Sequence, residues 1–477
     1  LLYICIMSRK KIDRVEAGLH VVDINAKGMG VAKNDEGVVY FIKDVIPGDV
    51  VNVQVYKKGR RYFEAKPIKW LEKSHHSTSP PCAHFGVCGG CKLQHLAYEG
   101  QLEFKEKGVL HNLNHIGKID IKEVLPIARV ENPYYYRNKM EFSFSNKRWL
   151  TSEEISGGAE IERNGLGFHK PGMWDKVVDI EHCHLQAEPS NAIRNAIRSF
   201  AIQEQLEFFD TREQQGFLRT LMIRNTLGGE LMVLIQFFKE DQEKRELLLN
   251  FLKEKFPQIT SLLYCVNSKG NDSLYDQNIL CYYGQDFITE HLGDLQFKIT
   301  AKSFYQTNPK QAEVLYSIGK DFAALKGNEI VYDLYTGTGT IALSLAKQCA
   351  KIIGVESVPE AIEAANENAT FNKIKNATFE VGDMKDCFND DFIKRHGKAE
   401  VVITDPPRNG MHPDVVKQLL KLAPQRIVYI SCNSSTQARD LELMKGMYTV
   451  VKSQAVDMFP QTHHVENVVL LHRNTII

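Results

Sequence analysis

The chain has 477 residues, 59 basic and 59 acidic side chains, and a formal net charge of zero. This length is too great for one ordinary core, so two or three domains are expected. The balanced charge excludes a whole-protein field that would attract RNA or a membrane, and any nucleic-acid contact must come from local basic patches.

Residues 1–7 are apolar but much shorter than a membrane span. They lack the basic leader and the small-residue cleavage site of a signal peptide, and Met7 is interpreted as the real start. No later segment is apolar enough to cross a bilayer. We therefore expect a cytoplasmic protein with no membrane segment.

Residues 12–72 form short alternating apolar and polar stretches separated by Gly, Asn, Asp and Pro. This pattern predicts a small β-barrel. The stretch 57–63 concentrates four cations beside two aromatic residues, a combination that suits a nucleic-acid backbone with stacked bases. A solvated hairpin tip is an equally good interpretation of the same stretch.

The cysteines favour metal binding or catalysis over disulfides, because the chain is large and expected in the cytoplasm. Cys82, Cys88 and Cys91 lie within ten residues, and Cys183 stands between two histidines. Four thiolates could hold zinc or a four-iron cluster, and the spacing alone leaves both open.

The middle of the chain mixes helical and strand patterns. Helices are predicted at 98–115 and 186–205, and strands at 140–144 and 230–237, which together indicate an α+β domain. From about residue 295 strands alternate with helices, and this order predicts an α/β domain with a parallel sheet.

A nucleotide-binding half-sheet is predicted from residue 329 onward. A strand at 329–334 leads into a loop with Gly337 and Gly339 and then into a helix, so the backbone can approach a ligand closely beside a helix N-terminus. The next two strands end on Glu356, which could hold ribose hydroxyls, and on Asp383, which suits an adenine amino group, and a fourth strand ends at Asp405.

NAD would fit the same order of elements. The third glycine of the dinucleotide fingerprint is missing, however, since Ala342 and Leu343 occupy that stretch. S-adenosylmethionine has no pyrophosphate and does not need that glycine. A non-binding α/β domain whose acids merely end strands is the remaining alternative.

A strand-like run at 426–430 is followed by Cys432, which puts a thiol where open α/β sheets build their active sites. Glu466 supplies an acid further along the chain. A nucleophilic thiol, a cofactor pocket and a proton acceptor together suggest covalent methyl transfer to a base. Taken singly, each residue would be interpreted as structural, Cys432 as a buried thiol and Glu466 as a surface acid.

The chain resembles the RNA 5-methyluridine methyltransferases, and in particular their iron–sulfur 23S rRNA uracil-5-methyltransferase branch. The motifs that carry this resemblance are Cys82-x5-Cys88-Gly-Gly-Cys91-x2-Gln94, Tyr136-Arg137-Asn138-Lys139, Phe304-Tyr305-Gln306-Thr307-Asn308, Asp333 to Thr340, Asp405-Pro406-Pro407-Arg408-Asn409-Gly410, Ser431-Cys432-Asn433 and His464-Val465-Glu466. The resemblance implies a multidomain fold: an OB-like β-barrel (TRAM) at 8–73, an α+β middle domain with an Fe–S cluster at 74–294, and a Rossmann-like class I methyltransferase domain at 295–477.

The resemblance also implies the ligands of the site. An S-adenosylmethionine pocket would be lined by Gln306, Tyr335, Thr340, Glu356, Asp383 and Asp405. The family loop often has Cys and Asn where this chain has Thr336 and Thr340. A [4Fe-4S] cluster would be held by Cys82, Cys88, Cys91 and Cys183.

By the same resemblance, Cys432 would add to C6 of uracil and Glu466 would remove the C5 proton. Arg408 stands where amino-methyltransferases usually present an aromatic residue, so it is expected to favour an enolate or to bind phosphate. The tRNA-specific relatives lack the cysteine cluster and the barrel, which favours 23S rRNA as the substrate. The alternatives are a tRNA uridine methyltransferase, a non-catalytic rRNA assembly factor and an iron–sulfur redox sensor.

Overall fold

The computed structural model of the protein describes residues 14–25, 27–157 and 160–474. The apolar stretch 1–7, the proposed start at Met7 and the first residues of the predicted barrel lie outside these ranges. The chain divides into two compact units. The first comprises the described residues up to Lys105 together with Phe459–His463, and the second comprises Glu106–Met458 and the residues from His464 onward.

The first unit contains a closed five-stranded barrel, in the order β1-β2-β3-β5-β4. Its strands are β1 (Arg14–Ile24), β2 (Gly30–Lys33), β3 (Val39–Ile42), β4 (Val50–Lys58) and β5 (Tyr62–Glu72). Strand β4 shows why they form: Val51, Val53 and Val55 are buried, and the residues between them are half-buried, as a period of two requires. The predicted barrel is therefore present.

The basic stretch 57–63 is the hairpin that joins β4 to β5. Lys58 pairs with Phe63 across the turn, and Lys57 Nζ lies 2.7 Å from Glu64 Oε1. The hairpin interpretation is correct, and RNA contact at its tip stays a prediction.

The second unit contains a seven-stranded sheet in the order β13-β12-β11-β10-β7-β8-β9. Its strands are β7 (Lys139–Ser145), β8 (Gly165–Lys170), β9 (Met173–Asp179), β10 (Leu218–Asn225), β11 (Leu231–Phe237), β12 (Ser261–Val266) and β13 (Leu280–Gly284). Helices α3 (Ser190–Gln203) and α4 (Gln242–Lys255) pack on one face, which buries Phe142, Ile197 and Leu248.

The second unit also contains an eight-stranded sheet in the order β18-β17-β16-β19-β20-β22-β21-β6. Its strands are β6 (Glu123–Ala128), β16 (Ile330–Leu334), β17 (Lys351–Glu356), β18 (Ala377–Val381), β19 (Val401–Thr404), β20 (Arg426–Ser431), β21 (Tyr448–Val456) and β22 (Glu466–Arg473). The five strands from β18 to β20 are parallel, so their carboxyl ends share one edge.

The expectation of a parallel sheet is correct for those five strands and wrong for β22, whereas β21 and β6 run in the direction of the five. Strand β22 runs antiparallel to both β20 and β21. Strand β6, which precedes residue 295, also joins this sheet beside β21. These exceptions matter because an antiparallel strand begins at the edge where its parallel neighbour ends.

Helices flank this sheet. Those not yet named are α1 (Tyr98–His115), α5 (Pro309–Ala323), α6 (Thr340–Ala346), α7 (Pro359–Phe371), α8 (Met384–Cys387), α9 (Asp390–His396), α10 (Pro413–Leu422) and α11 (Ser434–Met444). A short helix α2 (Ser152–Ser156) and a hairpin of β14 (Phe287–Leu292) and β15 (Leu295–Thr300) complete the unit. Among the described helices, none combines the length and the apolarity needed to traverse a bilayer.

Candidate active site

The glycine loop between β16 and α6 adopts a conformation that its sequence makes accessible. Tyr335, Gly337 and Gly339 all have positive φ, at 66°, 55° and 80°, which glycine tolerates and tyrosine adopts at a cost. Asp333 holds the loop to the strand, since its Oδ2 accepts from Thr336 Oγ1 at 2.6 Å and from the Ala342 amide at 3.1 Å.

The loop and the end of β17 form a place for a ligand with hydroxyl groups. Glu356 Oε2 accepts from the Gly337 amide at 3.2 Å, and its Oε1 accepts from the Ser357 and Val358 amides at 2.7 and 3.1 Å. Apart from Gly337 and its two chain neighbours, no described residue has an atom within 4 Å of the position that a Cβ on Gly337 would occupy. A carboxylate fixed beside open space suits the ribose of a nucleoside cofactor.

Two further acids lie at the same edge of the sheet. Asp383 follows β18, caps α8 by accepting from the Lys385 amide at 3.2 Å, and stays exposed. Asp405 follows β19, and its amide donates to the Leu334 carbonyl at 3.3 Å, beside the start of the glycine loop. The structure therefore places Glu356, Asp383 and Asp405, the acids predicted from the strand ends, at the same edge of the sheet.

Tyr316 on α5 is a site residue that the sequence analysis missed. It is 8% exposed, and its hydroxyl lies close to the side chains of Thr340 and Gln306. Two predicted cofactor positions from different elements therefore lie near one phenol. No local pattern signals this role, because Tyr316 is one of many apolar residues on an amphipathic helix.

Cys432 and Glu466 meet because of the antiparallel pairing of β20 with β22. Ser431, the last residue of β20, pairs with Asn467. Cys432 follows Ser431 and Glu466 precedes Asn467, so the thiol and the carboxyl group lie side by side at the carboxyl edge. Glu466 is 6% exposed, and Cys432 is half-buried.

Burial and mutual repulsion set the protonation of this pair. Burial, reinforced by the carboxyl groups of Glu466 and Asp405, raises the pKa of the Cys432 thiol to about 11, and the Arg408 guanidinium opposes that rise. Burial raises the pKa of Glu466 to about 8 and that of Asp405 to about 7. Groups perturbed in this way and clustered in one place are typical of catalytic sites.

The cysteine loop is ordered by hydrogen bonds from its backbone amides. The Cys82 amide donates to Gln94 Oε1 at 3.3 Å, and the Cys88 amide donates to the His84 carbonyl at 3.0 Å. These thiols belong to the first unit and Cys183 to the second. Within the described ranges, no set of three or more His, Cys, Asp or Glu side chains is arranged to hold a metal ion. The predicted cluster therefore stays a prediction.

Similar proteins match nearly the whole length of the chain. A relative from Porphyromonas gingivalis, named as an uncharacterized RNA methyltransferase, is 52% identical over 96% of this chain and 100% of its own. A relative from Chlorobaculum tepidum with a similar name is 40% identical over 97% of both chains. The crystal structure of the Pyrococcus abyssi tRNA (uracil-54, C5)-methyltransferase with S-adenosyl-L-homocysteine has a TM-score of 0.74 and 28% identity, and covers 96% of this chain and 100% of that one.

The family model for tRNA (uracil-5-)-methyltransferases matches residues 222–474. This range contains the glycine loop, the acids at the strand ends, Cys432 and Glu466. The family match and the similar crystal structure confirm three predictions: the protein is an enzyme, S-adenosylmethionine is the methyl donor, and RNA is the kind of partner. The chain belongs to the tRNA (uracil-5-)-methyltransferase family of RNA methyltransferases.

Proposed function

We propose that this protein methylates C5 of a uridine in 23S rRNA through a transient covalent bond between Cys432 and the base. The observation that carries the proposal is the pairing of Ser431 with Asn467, which brings a thiol and a buried carboxyl group together at the carboxyl edge of the sheet. A protein that only binds RNA needs neither group.

Uracil C5 is a weak nucleophile, and a covalent step can activate it. The Cys432 thiolate adds to C6, and the electron pair of the C5–C6 double bond moves into an enolate. C5 then forms a bond to the methyl carbon while the bond from that carbon to sulfur breaks. S-adenosylmethionine supplies this methyl group on a positively charged sulfur and leaves as S-adenosylhomocysteine.

The product forms when the C5 proton and the thiolate leave. The Glu466 carboxylate takes the proton, the C5–H electron pair re-forms the C5–C6 double bond, and the bond from Cys432 Sγ to C6 breaks. Arg408 favours the first step, because its guanidinium lowers the pKa of the thiol. The side chains proposed to hold the cofactor are Gln306, Tyr335, Thr340, Glu356, Asp383 and Asp405.

Release of the C5 hydrogen tests this chemistry directly. RNA that carries tritium at uridine C5 should release it to water in step with methyl incorporation in the wild-type enzyme. Methyl incorporation without tritium release would place the methyl group elsewhere and reject the proposal. The Cys432→Ala variant should neither release tritium nor incorporate methyl groups.

Support for 23S rRNA comes from the resemblance of the cysteine and barrel motifs to the rRNA-specific branch. A tRNA substrate is the second candidate, because the Pyrococcus abyssi tRNA enzyme aligns with 96% of this chain. The barrel strands, Arg14–Glu72, make up about an eighth of the chain, so an alignment of that extent includes most of them. Methyl transfer to 23S rRNA and tRNA transcripts, compared in one assay, decides between the two.

We also propose that Cys82, Cys88, Cys91 and Cys183 hold a [4Fe-4S] cluster. Support comes from the four-thiol donor set, which suits iron–sulfur clusters and zinc, and from the resemblance, which favours iron. No catalytic step depends on it. Protein purified without oxygen should contain about four iron atoms per chain and absorb visible light, whereas colourless protein with zinc would reject the cluster.

An rRNA substrate would place the enzyme in the cytoplasm.

A further inference from the structure

The second unit contains a small cavity on the seven-stranded sheet that the methyl-transfer chemistry does not use. Its volume is about 160 Å³, well below the roughly 300–1,000 Å³ of sites that enclose drug-sized ligands. The lining side chains that matter here are Ser143, His169, Trp174, Arg219, Thr220 and Asp272. We propose that this cavity binds one guanine base of the RNA substrate, outside the target uridine.

Arg219 is the buried cation of this cavity. It is 4% exposed and lies against the rings of Phe209 and Phe238, with Cζ at 4.8 and 5.6 Å from their centroids. Its Nη1 donates to the carbonyls of Asn267 and Lys269 at 2.8 and 2.6 Å. Within the described ranges, no carboxylate forms a salt bridge with it within 4.0 Å, and the Asp272 carboxylate balances its charge only from a longer distance.

A β-bulge turns Arg219 into the cavity. The register between β10 and β11 shifts between Leu218 and Thr220, so Arg219 and Thr220 line the same space although they are consecutive. Bulges re-aim side chains in this way and are frequent beside functional sites. In the described part of the chain, Nε and Nη2 make no hydrogen bond, and neither is fully enclosed. Both therefore remain available to a ligand.

Trp174 forms a stacking surface at the rim. It is 61% exposed, and the Arg212 guanidinium lies 5.6 Å from its ring centroid. The salt bridge from Arg212 Nε to Asp175 Oδ2, at 2.7 Å, holds that guanidinium in place. An exposed indole with a fixed cation beside it is the arrangement on which unpaired RNA bases stack.

The polar groups select the ligand. A phosphate would suit Arg219 but would be repelled by the Asp272 carboxylate on the same lining. Guanine suits both, because O6 and N7 accept from an arginine fork, and N1–H and the N2 amino group can donate to a carboxylate. Adenine, cytosine and uracil do not offer this pair of edges.

The cavity is also connected to the catalytic site by one strand. Arg224, near the other end of β10, donates to the carbonyls of Thr300 and Ser303 at 3.0 and 2.7 Å, just before Gln306. Four residues of strand lie between Arg219 and Arg224, a span of about 17 Å. A base in the cavity would therefore be one other than the target uridine.

This inference rests on the proposed function, and one experiment separates their failures. The probes are a short oligouridine RNA and the same RNA with a single guanosine stepped along it, with affinity and methyl incorporation measured together. We expect one guanosine position to raise affinity at least about tenfold. Trp174→Ala should abolish that gain, and Met173→Ala, an exposed neighbour on the same strand, should preserve it.

The Asp272→Asn variant tests the base preference, because residue 272 lies exposed on a loop and its replacement should not disturb folding. It should remove the advantage of guanosine over inosine, which lacks the N2 amino group. Equal affinities for all probes in the wild-type protein, or an equal loss for all probes in Trp174→Ala, would overturn the guanine site. Absence of methyl incorporation from every probe and from full-length RNA would instead overturn the proposed function.

Discussion

Replacement of Glu466 by Gln should separate methyl transfer from release of the product. The substitution keeps the size of a side chain that is 6% exposed but removes the atom that accepts the C5 proton. General-base catalysis contributes about 100- to 10,000-fold, so turnover should fall within that range. Methyl transfer itself needs no base at C5, so a methylated RNA–protein complex should accumulate.

The pH dependence gives the same prediction a second readout. Because burial raises the pKa of Glu466 to about 8, only about a tenth of the carboxyl groups are ionised at pH 7. Proton removal in the wild-type enzyme should accelerate as the pH rises toward 8, and Glu466→Gln should lose that dependence.

Rapid-quench kinetics on radiolabelled RNA would follow both the complex and the product. The matched control is Glu442→Gln, because Glu442 is an accessible acid on α11 that pairs with Lys118 at 3.1 Å. It should leave turnover unchanged. Full turnover by Glu466→Gln, or a loss of methyl transfer without any trapped complex, would refute the assignment of the base.

Three further predictions follow from the geometry. Arg408→Ala should raise the pKa of Cys432 further above about 11 and slow methyl transfer, most strongly at neutral pH; weaker RNA binding with an unchanged transfer rate would assign Arg408 to phosphate instead. Gly337→Ala should weaken S-adenosylhomocysteine binding at least about tenfold by calorimetry, whereas Gly327→Ala, with the same open surroundings and positive φ, should bind normally. Burial raises the pKa of Asp333 to about 7, so it supports stability at low pH that is lost as the pH rises through about 7; Asp333→Asn should flatten that decline, about 4 kcal/mol, in unfolding melts from acid to neutral pH.

Much of the cofactor site could be predicted because its acidic residues lie at the ends of strands. A buried apolar run that stops at Glu356 or Asp405 determines both the strand and the position of its last polar residue. In a parallel sheet these ends share one edge, so a linear sequence already implies their proximity. The glycine loop could be predicted for the same local reason, since its positive φ values favour glycine.

The pairing of Cys432 with Glu466 could not be predicted from local pattern. It depends on β22 running antiparallel to β20, and the sequence favoured parallel strands throughout this domain. From the sequence alone Glu466 was one acid further along the chain, and the family resemblance gave it the role of the base at C5. Tyr316 was missed for a similar reason, because its contacts with Thr340 and Gln306 join three separate elements. The iron–sulfur ligands and the domain boundaries at 73 and 294 stay predictions.

A covalent bond from Cys432 to the base is the central claim, and the mass of the protein after reaction tests it most directly. Incubation with S-adenosylmethionine and RNA that contains 5-fluorouridine should trap the methylated adduct, because fluorine at C5 cannot leave as a proton. The wild-type protein and the Cys387→Ala variant, which lacks a different half-buried thiol, should both gain the mass of the RNA and one methyl group. Cys432→Ala should gain none, and an adduct or undiminished turnover in that variant would contradict the account.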